Sequence, residues 1–173
     1  MKFQDLYSTL EQARYHVFSP RDLLAIYSGE KASSLKKALS RWREKGWISL
    51  LRRGVYELAY PKDLLIPDLY IANRMYAPSY VSLETALSHY GIIPEVAMAV
   101  TSITVKATRR FKNAHGLFWY RTVQARSFAG YHIEKQNGFD ILIADPEKAL
   151  ADYLHFKTYR DKRFDIAGER FDK

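Results

Sequence analysis

The sequence predicts an α+β protein with an N-terminal winged helix-turn-helix and a C-terminal domain of mixed helices and antiparallel sheet. Residues 1–60 have the pattern of three helices followed by a hairpin, which is the element order of a winged helix. Residues 69–173 combine capped helical patterns with apolar strand-like runs. Prolines interrupt the pattern in between, so we predict a linker over 61–68.

The first two helices are indicated by apolar spacing and by a capping signal. Residues 3–15 place apolar side chains at helical spacing. In the sequence Ser19-Pro20-Arg21-Asp22, Ser19 is suited to cap the second helix and Pro20 to occupy its first position. We predict that this helix ends at Ser28-Gly29, with a C-cap there.

The third helix is predicted to begin near Ser33 and to end at Gly46. Its apolar face repeats at i, i+3, i+4 and i+7, and consists of Leu35, Ala38, Leu39 and Trp42. Two strands follow, over 47–51 and 55–58, and Arg52-Arg53-Gly54 forms the tight turn between them.

Positive charge is concentrated on this third helix and hairpin. The 23 residues from Lys31 to Arg53 carry eight Lys or Arg and one acid, Glu44, whereas the other 150 residues carry a net charge of +1. A block of one sign beside a helix-turn-helix pattern favours a polyanionic partner. The alternative is an ordinary basic surface helix beside a hairpin.

We therefore predict that the third helix enters the major groove of double-stranded DNA and that the hairpin acts as a wing. The residues expected to contact bases or phosphates are Ser33, Ser34, Lys36, Lys37, Ser40, Arg41, Arg52 and Arg53. Among them, Lys37 and Arg41 are suited to read guanine. Four to six phosphate contacts would give a salt slope of roughly −4 to −5.

The C-terminal pattern predicts a helix over 69–76 and a capped helix that starts at Ser82 and stops at Gly91. A further helix is predicted from Asp145, its cap, with Pro146 at the first position. Strands are predicted over 99–107, 117–124 and 138–144, with a loop or short hairpin connection at 109–115. The last helix should bury Ala149, Leu150, Tyr153 and Leu154 and expose the acids Glu147 and Asp152. From Lys157 we predict a final helix or a loose tail.

Several classes of function find no support in the residues. The chain has no cysteine, and none of its apolar runs is long enough to span a bilayer. Its five histidines lack the i, i+3 or i+4 spacing of a helical metal site, and no nucleotide-binding or hydrolase motif occurs. We expect a cytoplasmic protein that is not an enzyme and has no metal, cofactor or catalytic residues.

Three blocks carry a resemblance to a known family. They are Lys45-Gly46-Trp47-Ile48 with Arg53-Gly54-Val55-Tyr56, the segment from Tyr80 to Glu95, and the segment from Ile143 to Asp152. In order and spacing, from about residue 5 to 155, the chain resembles the AbiEi-type antitoxins of type IV toxin–antitoxin (abortive infection) systems. Related chains often continue past a segment such as Glu169–Asp172, so the resemblance implies a short or truncated member.

The resemblance implies two activities. The winged helix would bind inverted repeats in its own promoter and repress the operon, which places the DNA contacts on the residues already chosen by charge. The C-terminal domain would oppose a nucleotidyltransferase-like toxin, with direct binding of that toxin left open. The sequence shows no heptad seam, so we expect a monomer that pairs on DNA.

Two other functions compete with this prediction. One is a winged-helix regulator whose C-terminal domain senses a small ligand, with no toxin involved. The other, with less support, is a nucleic-acid-processing enzyme that uses the winged helix for delivery.

Overall fold

The computed structural model describes residues 1–61 and 64–160. The chain divides into two compact units. The first contains Met1–Ile66 and Lys112–Ala114, and the second contains Pro67–Phe111 and continues from His115. Within the described ranges, no helix combines the length and the apolar character that crossing a bilayer requires.

The first unit is a winged helix-turn-helix, as predicted. Its elements in chain order are α1 (Phe3–Gln12), β1 (Val17–Phe18), α2 (Pro20–Ile26), α3 (Ala32–Glu44), β2 (Ile48–Arg52) and β3 (Val55–Leu58). The strands form an antiparallel sheet in the order β1-β3-β2. Strand β1 was not predicted, because two residues are too few to show an alternating pattern.

Helix α2 begins as predicted, with a reciprocal capping box. The Asp22 amide donates to the Ser19 hydroxyl at 3.3 Å, and the Ser19 amide donates to the Asp22 carboxylate at 2.7 Å. The predicted end at Gly29 is wrong, because the helix stops at Ile26 and Tyr27 is its C-cap.

Tyr27 explains the early end. Its backbone leaves the helical region at φ −114° and ψ 68°, and its hydroxyl donates to Oγ1 of Thr9 on α1 at 2.8 Å. Helix α1 also ends earlier than predicted, at Gln12, and Arg14 has a positive φ of 50°.

The core of the first unit is built on α3. Its predicted apolar face is buried, and Trp42 is only 2% exposed. Other members of this core come from the remaining elements: Phe3, Leu6, Leu10, Phe18, Leu23, Ile48 and Leu58. Burial of each large apolar side chain stabilises the fold by about 1.5–3 kcal/mol. Helix α3 ends as predicted, because Gly46 takes a left-handed φ of +68°.

The second unit is built on a six-stranded sheet. Its elements are α4 (Asp68–Met75), β4 (Ser79–Val81), α5 (Leu83–His89), β5 (Val100–Thr104), β6 (Arg109–Asn113), β7 (Gly116–Thr122), a 3-10 turn (Ala125–Ser127), β8 (Tyr131–Gln136), β9 (Phe139–Ala144) and α6 (Pro146–Arg160). The strand order is β6-β7-β5-β4-β9-β8. With the first unit, this arrangement confirms the α+β class.

The sheet was predicted to be antiparallel and is mixed. Strands β4 and β5 are antiparallel, as are β8 and β9, but β4 is parallel to β9 and β5 is parallel to β7. Strand β6 separates β5 from β7 in the chain, and β7 then runs beside β5 in the same direction. Val81 of β4 pairs with Ser102 of β5 on one side and with Ile143 of β9 on the other.

Three strands of this sheet were missed. The predicted loop or connection at 109–115 is mostly strand β6, which lies next to β7 at one edge. Strand β8 at the other edge has mostly polar residues, and β4 has only three residues. Edge strands and short strands lack the apolar alternation on which the prediction relied.

Helices α5 and α6 differ from the prediction in their polar residues. Gly91 follows α5 with a φ of +68°, as expected of a stop, but the Ser82 side chain does not cap the helix. Instead it donates to Asp152, which is buried in α6 and not solvated as predicted. Leu150 and Leu154 are half-buried, whereas the predicted burial of Ala149 and Tyr153 is confirmed. No new element begins at Lys157, because α6 continues to Arg160. The rest of the final helix or tail predicted from Lys157 lies outside the described residues, from 161 onward.

Candidate nucleic-acid interface

The solvent-facing side of α3 carries the predicted DNA contacts. Because Leu35, Ala38, Leu39 and Trp42 face the core, the residues between them project outward. All six helical candidates are exposed: Ser33, Ser34, Lys36, Lys37, Ser40 and Arg41. We call these six residues, with Arg52 and Arg53, the α3–wing surface.

Three cations on the helix part of this surface are not neutralised by any described protein group. Within the part of the chain that the structure describes, none of Lys36, Lys37 and Arg41 forms an ion pair. The acid of α3, Glu44, accepts a hydrogen bond of 3.2 Å from the Ser40 hydroxyl. Ser40 is therefore partly committed within the helix, while the three cations are available to an external anion.

The first turn of α3 adds a partial positive charge. Lys31 is the N-cap residue, and its side chain makes no capping hydrogen bond. The first turn contains no acidic residue, and the amides of Ser33 and Ser34 point toward the helix N-terminus. Uncapped amides and the helix dipole at such an end favour negatively charged groups, including phosphate.

The two arginines of the hairpin differ in how far they are exposed to solvent. Arg52 and Val55 pair across a two-residue turn of Arg53 and Gly54, in which Gly54 has a φ of +77°. The Arg53 side chain is exposed. Arg52 is half-buried, and its Nη1 donates to the Arg53 carbonyl at 3.3 Å. Arg53 is therefore the better placed of the two to contact phosphate.

Two further cations extend this surface and were not among the predicted contacts. Arg43 is exposed on the last turn of α3. Lys45 follows it, with Nζ 4.5 Å from the centre of the Trp47 ring. The predicted helix contacts favoured the N-terminal part of α3, which reaches base edges, whereas Arg43 and Lys45 lie at its C-terminal end.

The second unit contains a buried polar cluster centred on Asp152, which is 4% exposed. Its Oδ2 accepts hydrogen bonds from the Tyr80 hydroxyl at 3.0 Å and from Ser82 Oγ at 2.9 Å. Its Oδ1 accepts from Lys148 Nζ at 2.7 Å. Burial, and next the nearby Asp152 carboxylate, raise the pKa of Tyr80, because both disfavour a phenolate there.

Two histidines of this unit, His89 and His132, form pairs with acids. His89 Nε2 lies 3.1 Å from Glu134 Oε2, and His132 Nδ1 lies 2.6 Å from Asp145 Oδ1. Among the described residues, no group of three or more His, Asp or Glu side chains is arranged to hold a metal ion.

Residues 6–59 match the model of a family described as a transcriptional regulator, AbiEi antitoxin. No curated protein matches the chain. The matched segment contains most of α1, all of α2 and α3, and the hairpin, so the predicted resemblance is confirmed there. The match supports a role in transcriptional regulation by an antitoxin, and it includes every residue of the α3–wing surface.

Proposed function

We propose that the first unit binds double-stranded DNA at inverted repeats in the promoter of its own operon and represses transcription. The proposal depends mainly on one observation: Lys36, Lys37 and Arg41 are exposed and, within the described residues, form no ion pair. Lys36, Lys37 and Arg41 lie on the outer side of a helix that can enter a major groove. Arg53 lies at the tip of a hairpin that can reach the adjacent phosphates.

This surface predicts how binding should depend on salt. Each phosphate contact by Lys or Arg releases condensed counterions, so log K should fall linearly with log salt at a slope of roughly −0.9 per contact. Four to six contacts would give a slope of roughly −4 to −5. The measurement is a series of gel shifts on the promoter fragment between about 50 and 200 mM salt.

A salt slope reports contacts with phosphates and does not by itself demonstrate recognition of a specific sequence. Footprinting should locate the protected bases, and the protected region should contain inverted repeats. Analytical ultracentrifugation should detect a monomer without DNA and two chains on a fragment that carries both repeats. Equal affinity for the promoter and for random DNA of the same length would contradict the proposed repressor.

We propose further that the chain is the antitoxin of a cytoplasmic toxin–antitoxin (abortive infection) system. The C-terminal domain, over 69–173, would counteract a nucleotidyltransferase-like toxin. The match of residues 6–59 to an antitoxin family supports this second activity. The first test is whether a neighbouring gene encodes such an enzyme and whether co-expression of this chain restores growth.

Variants of the full chain can separate the two activities. Lys37→Ala combined with Arg41→Ala should abolish repression and retain neutralisation, because both residues lie in the first unit. Pull-down of the toxin with the chain would establish direct binding, whereas neutralisation without pull-down would indicate an indirect route. Failure of the native chain to restore growth would reject the antitoxin activity and leave the repressor to be judged by its own test.

A further inference from the structure

A cavity of about 340 Å³ opens in the second unit between the end of β7, the 3-10 turn and α6. Pockets that hold small molecules usually measure about 300–1,000 Å³, so this cavity is at the lower end of that range. Its polar lining includes Gln124, Arg126, Ser127, Lys148 and Asp152. All of these lining residues belong to the second unit, whereas the α3–wing surface belongs to the first.

Among the described lining residues there is one carboxylate, Asp152, and it already has its hydrogen-bond donors. Asp152 accepts from Tyr80 and Ser82 on one oxygen and from Lys148 on the other. Because the carboxylate is buried and compensated by an ammonium group, its negative charge is largely neutralised at the cavity. Asp152 therefore positions Lys148 without excluding an anion.

Lys148 retains donor capacity toward the cavity. Its ammonium donates to Asp152 at 2.7 Å and to the Ser127 carbonyl at 3.1 Å. An ammonium group has three N–H donors, so one remains for a ligand. A Cβ placed on Gly130 would lie only 3.0 Å from Lys148 Cγ, which shows that this backbone packs closely on the lysine stem. The lysine is thus held in place before a ligand arrives.

Arg126 supplies the second cation. It lies on the 3-10 turn, it is exposed, and in the described part of the chain its guanidinium has no protein acceptor. The guanidinium therefore brings up to five N–H donors to the same cavity as Lys148. A carboxylate can be satisfied by one bidentate arginine, whereas a phosphate monoester has enough oxygens to accept hydrogen bonds from both Arg126 and Lys148. Val123 and Ala151 form an apolar part of the cavity wall beside these donors.

We infer that this cavity binds a phosphate monoester of nucleotide size, with Lys148 and Arg126 holding the phosphate and the apolar wall contacting the rest of the molecule. The site uses side chains of the second unit alone. It can therefore be tested without DNA and without a toxin, and its failure would not affect the proposed repressor.

The experiment is isothermal titration of the full chain with adenosine monophosphate, inorganic phosphate and adenosine. The monophosphate should bind most tightly, because it alone offers both the phosphate and the apolar part. Adenosine should bind at least about tenfold more weakly, since it lacks the acceptors for two charged donors. Adenosine affinity equal to that of the monophosphate, or no binding of either phosphate compound at about 10 mM, would overturn the inference.

The matched variants are Arg126→Ala and Arg109→Ala, which remove the same charge from exposed residues inside and outside the cavity. Arg126→Ala should weaken binding of the monophosphate by about tenfold or more, and Arg109→Ala should leave it unchanged. Arg126→Lys should restore part of the lost affinity because it restores the charge. Equal affinities in the two alanine variants would also contradict the inference, and the ligand comparison on the native chain does not depend on either of them.

Discussion

The Tyr80 hydroxyl donates a hydrogen bond of 3.0 Å to Oδ2 of Asp152, although 72 positions separate the two residues in the chain. Tyr80 begins the second of the three sequence blocks that carried the family resemblance, and Asp152 ends the third. Ser82 donates to the same carboxylate oxygen. The two blocks therefore meet at one buried carboxylate.

Removing this carboxylate should destabilise the second unit. Asp152→Ala would leave Lys148 without its counter-charge and two buried hydroxyls without their acceptor, at a cost of about 3–5 kcal/mol. Asp152→Asn keeps an acceptor oxygen and should cost less. Urea denaturation measures the difference. Asp140→Asn is the control, because Asp140 and its partner Lys135 are both exposed and a surface pair contributes about 0–1 kcal/mol.

Tyr80 should make the fold sensitive to alkali. An unfolded tyrosine ionises near pH 10, and the pKa of Tyr80 is raised in the fold by burial and by Asp152. Above about pH 10 the unfolded chain therefore binds fewer protons, and stability should fall by up to about 1.4 kcal/mol per pH unit from this group. Below pH 10 the contribution is fully present.

Tyr80→Phe provides the matched test. It should cost about 1–3 kcal/mol at pH 7, because a buried carboxylate loses a donor, and it should flatten the decline above pH 10. The pKa of Tyr90 is raised too, chiefly by burial, so Tyr90→Phe should flatten the curve in the same direction. An unchanged alkaline slope in Tyr80→Phe would show that this phenol is not responsible.

Lys37 and Arg41 are predicted to read bases. Each alanine substitution should weaken operator binding by about 1–3 kcal/mol and relax the sequence preference. Gel shifts on the operator and on single-base variants of it measure both effects. Arg109→Ala removes one charge from the second unit and should leave affinity nearly unchanged. Operator affinity that is unaffected by both helix substitutions would rule out insertion of α3 into the groove.

The wing arginines should behave differently. Arg53→Ala should weaken binding to all sequences alike and reduce the magnitude of the salt slope by about 1, as expected of a phosphate contact. Arg52→Ala should have the smaller effect, because its guanidinium is partly engaged with the Arg53 carbonyl. Lys2→Ala, on an exposed residue outside the α3–wing surface, is the control for loss of charge.

Two glycines test where the helices end. Gly46 ends α3 with a φ of +68°, so Gly46→Ala should destabilise the first unit by about 1–2 kcal/mol. Gly29 has no positive φ, and no atom lies within 4 Å of a Cβ placed on it. Gly29→Ala should therefore be neutral or stabilise by up to about 1 kcal/mol. A large loss for Gly29→Ala would support the C-cap that the structure does not contain. Thermal unfolding of the two variants decides between these results.

The first unit was predicted well because its signals are local. Apolar spacing identified the face of α3 that holds Trp42, and a capping pattern identified the start of α2 at Ser19. The exposed cations followed from the same periodicity. The predicted end of α2 was wrong because Tyr27 is held by a hydrogen bond to α1. A contact with a residue far away in the sequence cannot be recognised from the residues next to Tyr27.

The second unit was predicted less well because its polar organisation is not local. In the sequence, Asp152 resembles a solvated helix residue. In the fold, β4 and the residue that follows it place Tyr80 and Ser82 within hydrogen-bond distance of the Asp152 carboxylate. The cavity at Lys148 was missed for the same reason, since Arg126 comes from a short turn with no recognisable pattern. Edge strands β6 and β8 have too few apolar residues to be identified from their own sequences.

The three tryptophans of the chain are distributed unevenly between the units, and this has a spectroscopic consequence. Trp42 and Trp47 lie in the first unit, where Trp42 is almost fully enclosed by the core. Trp119 lies in the second unit, with the Arg110 guanidinium 4.7 Å from its ring centre. The substitution Trp119→Phe would leave tryptophan fluorescence to report on the first unit alone. The difference from the native signal would then follow the melting of the other unit in the same full-length chain.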